Sequence, residues 1–303
     1  SRIWCTYRKD FDIIPGSYYT SDMGWGCMHR TAQMTLAQAF LNHYLGRDWR
    51  KDNAYELPRR YYEILQWFSD TLEAPYSVHN ISIVGALQNK AVGQWYGPST
   101  VAYALKELVS RYHGDQFAVY VSNNGIIYSD EVKELCGGQE WTKSLILLVP
   151  VRLGVETVPE NYYKLITSLF QYPQSLGLAG GKPKSSLYFL GVQGDSLFYL
   201  DPHVIFNTVD MTKIPFDVSS YQPQEINNIK ISHIDPSFSA AFYIRDYDEY
   251  LNFCEITEKF LNELDGEHIF GIEDSRHSGS CCSDIDISWP EESIVMSDEN
   301  SEK

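Results

Sequence analysis

Thr20-Ser21-Asp22-Met23-Gly24-Trp25-Gly26-Cys27-Met28-His29-Arg30 sets a cysteine behind two glycines and ahead of a helical pattern. After Cys27 the apolar residues Met28, Ala32, Leu36, Ala39 and Phe40 recur near helical spacing, and Gly46 is a stop signal. A thiol attacks only as thiolate, and free cysteine titrates near pH ~8.5. The partial positive charge at a helix amino terminus favours the anion. The backbone N–H of Cys27 could also face a developing oxyanion. Gly24 and Gly26 predict a tight turn with room for a substrate chain. The competing reading is a buried helix cysteine, a residue common in cores.

A thiol nucleophile needs a base, and Asp201-Pro202-His203 closes an apolar strand-like run. Residues two apart on a strand share a face. Asp201 could then hold the imidazole in one tautomer and leave its other nitrogen for the thiol. Pro202 places the pair at a strand end or edge, and Asp-Pro is also a turn opener. His233-Ile234-Asp235-Pro236 has the same spacing in reverse. Residue physics alone leaves both pairs open, with the longer apolar run before Asp201 tipping only slightly towards it. His29, His43, His79, His113, His268 and His277 lack an obvious acid partner and read as structural or solvated. No His-Glu-x-x-His or cysteine-pair spacing is present, so neither a metal nor a cofactor is expected.

Composition narrows the class. The net charge of −16 is uneven. Asp246 to Lys303 holds 17 acidic and 3 basic residues, a balance of −14, which leaves −2 for the first 245. No basic stripe is available to neutralise phosphates, so nucleic acid is not an expected partner. The acidic end reads as a solvated tail, with attraction of a basic partner as the alternative. No apolar run approaches the ~20 residues that span a bilayer, and there is no amino-terminal signal pattern. Ser1 is not an initiator Met, so that absence weighs little and the amino-terminal part is expected to be truncated. The six cysteines form no disulfide framework, which suggests a reducing, cytoplasmic setting. Cys281 and Cys282 read as exposed tail thiols.

Several elements follow from periodicity and punctuation. Helices are expected at Tyr61 to Phe68, over Val101 to Val109, from Pro159 to Tyr172, and up to about Leu264. Gly93 to Pro98 is a loop. Phe117 to Val121 and Ile126 to Tyr128 are short strands around Asn123-Asn124-Gly125. Leu145 to Val151 is a buried central strand. Leu187 to Val192 and Leu197 to Leu200 form a hairpin, and Ala240 to Ile244 is another strand. The order favours one sheet in a mixed α/β or α+β domain. The predicted domain covers 1–265, and a polar, acidic, disordered tail covers 266–303.

The segment Ser21 to Gln33 resembles the nucleophile motif of the Atg4 (autophagin) cysteine peptidases. Five further blocks match in order: Ser1 to Trp4 with Thr6-Tyr7-Arg8; Leu45 to Trp49; Gly93 to Pro98; Pro173 to Gly177 with Gly180-Gly181-Lys182-Pro183; and Tyr199 to His203. The resemblance runs from Ser1 to about Leu264. It implies an α+β, papain-like cysteine peptidase fold with a small additional subdomain. It implies a Cys27, His203 and Asp201 triad that cleaves an Atg8/LC3/GABARAP-type ubiquitin-like protein after a glycine. That cleavage primes the substrate for conjugation to phosphatidylethanolamine. The same chemistry would delipidate the conjugate, with transient contact to the autophagosomal membrane through the lipidated substrate. Tyr7 would supply an oxyanion contact, and Trp95 with the loop around Pro183 would gate the cleft. Three features depart from the pattern. The segment that usually precedes Ser1 is missing. Thr31 stands where some members carry a redox-linked cysteine. Trp289-Pro290-Glu291-Glu292 does not fit an aromatic-x-x-aliphatic docking motif. A pseudoenzyme that only binds Atg8 and a metal hydrolase are the competing classes.

Overall fold

A computed structural model describes residues 1–51, 56–223, 225–264 and 268–276. In chain order the strands are β1 (Tyr7–Lys9), β2 (Phe117–Val121), β3 (Ile126–Tyr128), β4 (Ser144–Arg152), β5 (Ser175–Lys182), β6 (Ser185–Gln193), β7 (Ser196–Leu200), β8 (Ile205–Asn207), β9 (Asn227–Lys230), β10 (Ser237–Ile244) and β11 (Gly271–Glu273). The helices are α1 (Cys27–Tyr44), α2 (Arg59–Gln66), α3 (Val78–Leu87), α4 (Pro98–His113), α5 (Ser129–Leu135), α6 (Tyr163–Ser168) and α7 (Tyr247–Glu263).

Seven strands form the main sheet in the order β2-β4-β10-β5-β6-β7-β9. Only β2 and β4 run parallel; every other pair is antiparallel. Side chains alternate between faces along each strand, and both faces are buried. Val119, Ile146, Leu148, Tyr188 and Ala241 join the core beneath α1, α2 and α4. Their neighbours Ala118, Leu145, Leu147, Phe189 and Phe242 join a second core under α6 and α7. This explains the unbroken apolar run of β4, which lies between β2 and β10. The mixed α+β architecture with a central sheet is consistent with a papain-like domain.

Helix α1 is buried almost all round, so its polar side chains must find partners. Thr31 Oγ1 donates to the Cys27 carbonyl at 3.0 Å, and Gln33 Nε2 donates to the Tyr76 carbonyl at 2.7 Å.

Three expectations need adjustment. The helix expected over Pro159 to Tyr172 shrinks to a 3₁₀ turn (Glu160–Tyr162) followed by α6. Residues 169–171 close i→i+3 turns ahead of Pro173, and the residue before a proline disfavours helix. The strands β2 and β3 do not stay together. β2 joins the main sheet, whereas β3 pairs in parallel with β11. The tail does not begin at 266. Ile269 and Phe270 are buried, and Phe270 stacks on Phe253 with ring centroids 5.8 Å apart. The remaining tail, with Cys281, Cys282 and His277, lies outside the described residues. Asp201 to His203 follow directly on the end of β7 at Leu200, the strand end at which Pro202 places the pair.

Candidate active site

Cys27 is the first residue of α1, with Gly26 as its amino-terminal cap, and is 2% exposed. The turn before it is built on Asp22, whose carbonyl accepts the Trp25 N–H at 3.2 Å and the Gly26 N–H at 2.8 Å. The two glycines have separate structural causes. Gly24 has φ +85° with open space around it, so backbone conformation demands it. A Cβ on Gly26 would stand 2.5 Å from Asp22 Cβ and Oδ2, so close packing on Asp22 demands that one.

His203 reaches this thiol from the segment after β7. Pro202 cannot continue a ladder, and the chain turns there. Asp201 Oδ1 accepts the His203 backbone N–H at 3.0 Å and bonds the imidazole Nδ1 in a very short contact. That contact leaves Nε2 for the Ser185 hydroxyl, 3.3 Å away, and for the thiol, which is within hydrogen-bond reach of His203. Burial alone would push the Cys27 thiol up. Hydrogen bonds from His203, the Ser186 backbone N–H and Trp95, with the charge of His203, outweigh burial and hold the thiol below the usual cysteine value. Burial would likewise lower His203, but the bonds to Asp201 and Cys27 push it up to about 9. Burial raises Asp201 less than the His203 bonds lower it, so its carboxyl sits below the usual aspartate value. These three directions favour a thiolate–imidazolium pair braced by a carboxylate.

The segment is tied to the amino terminus as well. Trp4 Nε1 donates to the Asp201 carbonyl at 2.8 Å, and the Tyr7 N–H donates to the Pro202 carbonyl at 2.9 Å. β1 then pairs in parallel with β8, just past His203. The Tyr7 ring meets the His203 ring edge-on at 5.3 Å. Its hydroxyl lies against the Cys27 sulfur and the Gly24 backbone N–H, with burial the main cause of its strongly raised pKa. It is therefore a neutral donor.

Trp95 Nε1 donates to Cys27 Sγ at 3.2 Å, yet the indole is 46% exposed. Its loop rests on Gly93, where a Cβ would fall 2.4 Å from the Tyr19 ring. Pro183 is exposed at the tip of the β5–β6 hairpin, and the groups there that touch the site are its neighbours Ser185 and Ser186. The second pair is not assembled. Asp235 Oδ1 caps the Ser237 N–H at 2.8 Å, and His233 is not among the groups that reach the thiol. Sequence reasoning missed Ser185, Ser186 and Asp22. Nothing in their own spacing marks them, although Asp22 lies five residues before the thiol and both serines follow Pro183. Thr31 bonds Ser186 Oγ at 2.9 Å and so braces α1 against the hairpin. Among the described residues no group of three or more His, Cys, Asp or Glu is arranged to hold a metal ion.

The profile of the peptidase C54 catalytic domain matches residues 1–256. The chain belongs to the peptidase C54 family. It is 36% identical over 287 residues to cysteine protease ATG4A of Xenopus laevis, covering 86% of this chain and 72% of that protein. It is 38% identical over 300 residues to cysteine protease ATG4 of Medicago truncatula, covering 91% and 61%. Mouse cysteine protease ATG4A is 35% identical over 286 residues, covering 86% and 72%. This C54 member therefore spans between 61% and 72% of these relatives' lengths. Among its described residues no helix is long and apolar enough to cross a membrane.

Proposed function

We propose that the chain is a cytoplasmic cysteine peptidase that trims Atg8/LC3/GABARAP-type ubiquitin-like proteins after a glycine and releases the same proteins from phosphatidylethanolamine. The observation that carries this reading is the Cys27 thiol at the start of α1, within hydrogen-bond reach of a histidine whose Nδ1 is held by Asp201. Family membership supports the reaction class, and the names of the relatives support the substrate class.

The Cys27 thiolate attacks the glycine carbonyl, and the carbonyl oxygen takes the negative charge. Tyr7 and the Cys27 backbone N–H donate to that oxygen. The His203 imidazolium gives its proton to the leaving amine, and a thioester remains. His203 then takes a proton from water as the water attacks the thioester; collapse expels the Cys27 thiolate, the glycine carboxyl leaves and gives its proton to solvent, and the thiolate and imidazolium are restored. Asp201 keeps the Nδ1 proton in place throughout. The Trp95 loop and the Pro183 hairpin flank the thiol, so closing over an extended glycine would exclude bulk and keep water off the thiolate.

Cleavage of a panel of tagged Atg8 proteins, free and lipidated, by wild type and Cys27→Ala tests the proposal. Wild type should remove the extension and Cys27→Ala should bind without cleaving. Cleavage by Cys27→Ala, or none by wild type, would overturn it. His203→Ala should be inactive and His233→Ala active.

A further inference from the structure

Below the thiol lies a buried charge cluster that the proposed reaction does not use directly. The Arg30 guanidinium is forked onto Asp22, with Nε 2.7 Å from Oδ2 and Nη2 3.0 Å from Oδ1, and its third nitrogen lies 2.7 Å from Asp70 Oδ1. All three side chains are at most 1% exposed. Asp22 Oδ1 also accepts the Arg8 backbone N–H at 2.7 Å, on the peptide that follows Tyr7. The Asp22 carbonyl holds the Trp25 and Gly26 amides, and the Gly26 carbonyl accepts the Arg30 N–H at 3.0 Å. One residue thus ties the strand carrying Tyr7 to the turn and helix carrying Cys27. The Arg8 guanidinium extends the tie. It donates to the Asn207 carbonyl at 3.0 Å and the Ser220 hydroxyl at 2.9 Å, and lies 4.2 Å from the Tyr221 ring centroid. Asn207 ends β8, the strand just after His203.

We infer that Asp22 is a positioning residue that holds the Tyr7 hydroxyl and the Cys27 backbone N–H at one oxyanion site, with Arg30 as its rigid fork. The inference rests on the cysteine peptidase reading above. Two considerations favour positioning over bulk stability. A buried ion pair is a poor source of stability, because desolvation offsets much of its attraction. A bidentate guanidinium–carboxylate pair is, however, strongly directional. The groups it fixes are the two donors that an oxyanion would need at hydrogen-bond distance. The packing of Gly26 on the Asp22 side chain is a second, independent sign that this distance is tightly set.

The test is a double-mutant cycle on the full chain, pairing Asp22→Asn with Tyr7→Phe. Four quantities are measured: the melting midpoint, kcat and KM for Atg8 cleavage, and the rate of iodoacetamide alkylation on its alkaline plateau. Alkylation forms no oxyanion, so it reports thiol access without the donors. A misplacement near 1 Å lowers rates by about 10²-fold, and Asp22→Asn should lower kcat by that order with KM kept. Its alkylation rate should stay within about twofold of wild type, the scatter of independent sites. In the Tyr7→Phe background Asp22→Asn should cost much less than it does alone. Full additivity, a rise in KM alone, or parallel loss of alkylation would overturn the inference. Arg30→Lys keeps the charge and loses the fork, and should show the same pattern if Asp22→Asn does not fold. A wild-type chain that cleaves no Atg8 protein overturns the peptidase reading and this inference together, whereas additivity overturns only this inference.

Discussion

Replacing Gly26 by alanine isolates the contact on which the turn before Cys27 is built. Its φ is −84°, a value alanine adopts freely, so backbone strain does not enter. The new Cβ would stand 2.5 Å from Asp22 Cβ. Carbon atoms rest about 3.5 Å apart, so the turn and Asp22 must separate by about 1 Å. Asp22 cannot easily yield, because both carboxylate oxygens are engaged by Arg30 and one also by the Arg8 N–H. The turn must move instead, and it carries the first residue of α1. Overpacking of this kind costs about 1–3 kcal/mol of stability, or roughly 2–4 °C of melting midpoint per kcal/mol in a chain of this size. A 1 Å displacement at a reacting group costs about 10²-fold in rate, equivalent to about 2.7 kcal/mol of barrier. Gly26→Ala should therefore lose about two orders of magnitude in kcat on a tagged Atg8 substrate and about 2–12 °C of melting midpoint. Gly24→Ala is the matched control. An L-residue at its φ of +85° costs about 1–2 kcal/mol, but nothing lies within 4 Å to be displaced. It should lose similar stability and keep most of its kcat. Wild-type kcat in Gly26→Ala, or equal losses of kcat in both variants, would refute the reasoning.

On the proposed mechanism a thiolate–imidazolium pair would persist between the lowered Cys27 value and the His203 value of about 9. The kcat/KM profile should be a bell with its acid limb below the ordinary cysteine range and its alkaline limb near pH 9; a monotonic rise through pH 9 would contradict the pair. Because His203 is raised above its unfolded value of 6.5, its contribution to stability is full below about pH 6.5 and is lost as pH rises through about 9. Asp201→Asn removes the main cause of that rise, so the alkaline limb should move to lower pH while the acid limb persists; an unmoved alkaline limb would show that Asp201 does not brace His203. Trp95→Phe removes the indole donor from Cys27 Sγ and should shift the acid limb of alkylation upward; an unmoved limb would mean that the 3.2 Å contact does not act on the thiol. Phe270→Ala should destabilise the chain by about 3–5 kcal/mol, the usual cost of emptying a buried aromatic site. An unchanged melting midpoint would place 268–276 outside the fold.

How far the sequence revealed the fold depended on which pairing each segment makes. The run Leu145 to Val151 was readable because a strand covered on both faces needs apolar residues at every position. β5 was not readable, although it lies between β10 and β6 in the same sheet. Its Gly177, Gly180 and Gly181 carry no strand signal. They are required by contacts with other segments: a Cβ on Gly180 would meet Phe238 Cβ at 2.7 Å, and one on Gly181 would meet the Ser185 carbonyl at 2.1 Å. Such a constraint is written in the partner strands and not in the local pattern. The same limit hid β11, whose partner β3 is far away in sequence and whose composition matches the acidic stretch around it.

The candidate site shows why spacing alone left two histidines open. Asp201 and His203 have the same separation as His233 and Asp235, and in both cases the acid uses a carboxylate oxygen to cap a backbone N–H two residues on. For Asp201 that capped residue is the histidine itself, so one oxygen binds both its backbone and its ring. For Asp235 the capped residue is Ser237, and the histidine lies on the other side of the acid in sequence. The order of acid then histidine therefore matters physically, because an aspartate folds forward over the residue two positions later. That directional rule lies in the residues and would have separated the pairs without a resemblance. It does not explain why His203 meets Cys27. That meeting depends on β1, whose Tyr7 amide holds the Pro202 carbonyl while the next amide is held by Asp22. Cys27 and His203 are brought together through a three-residue strand that neither motif contains.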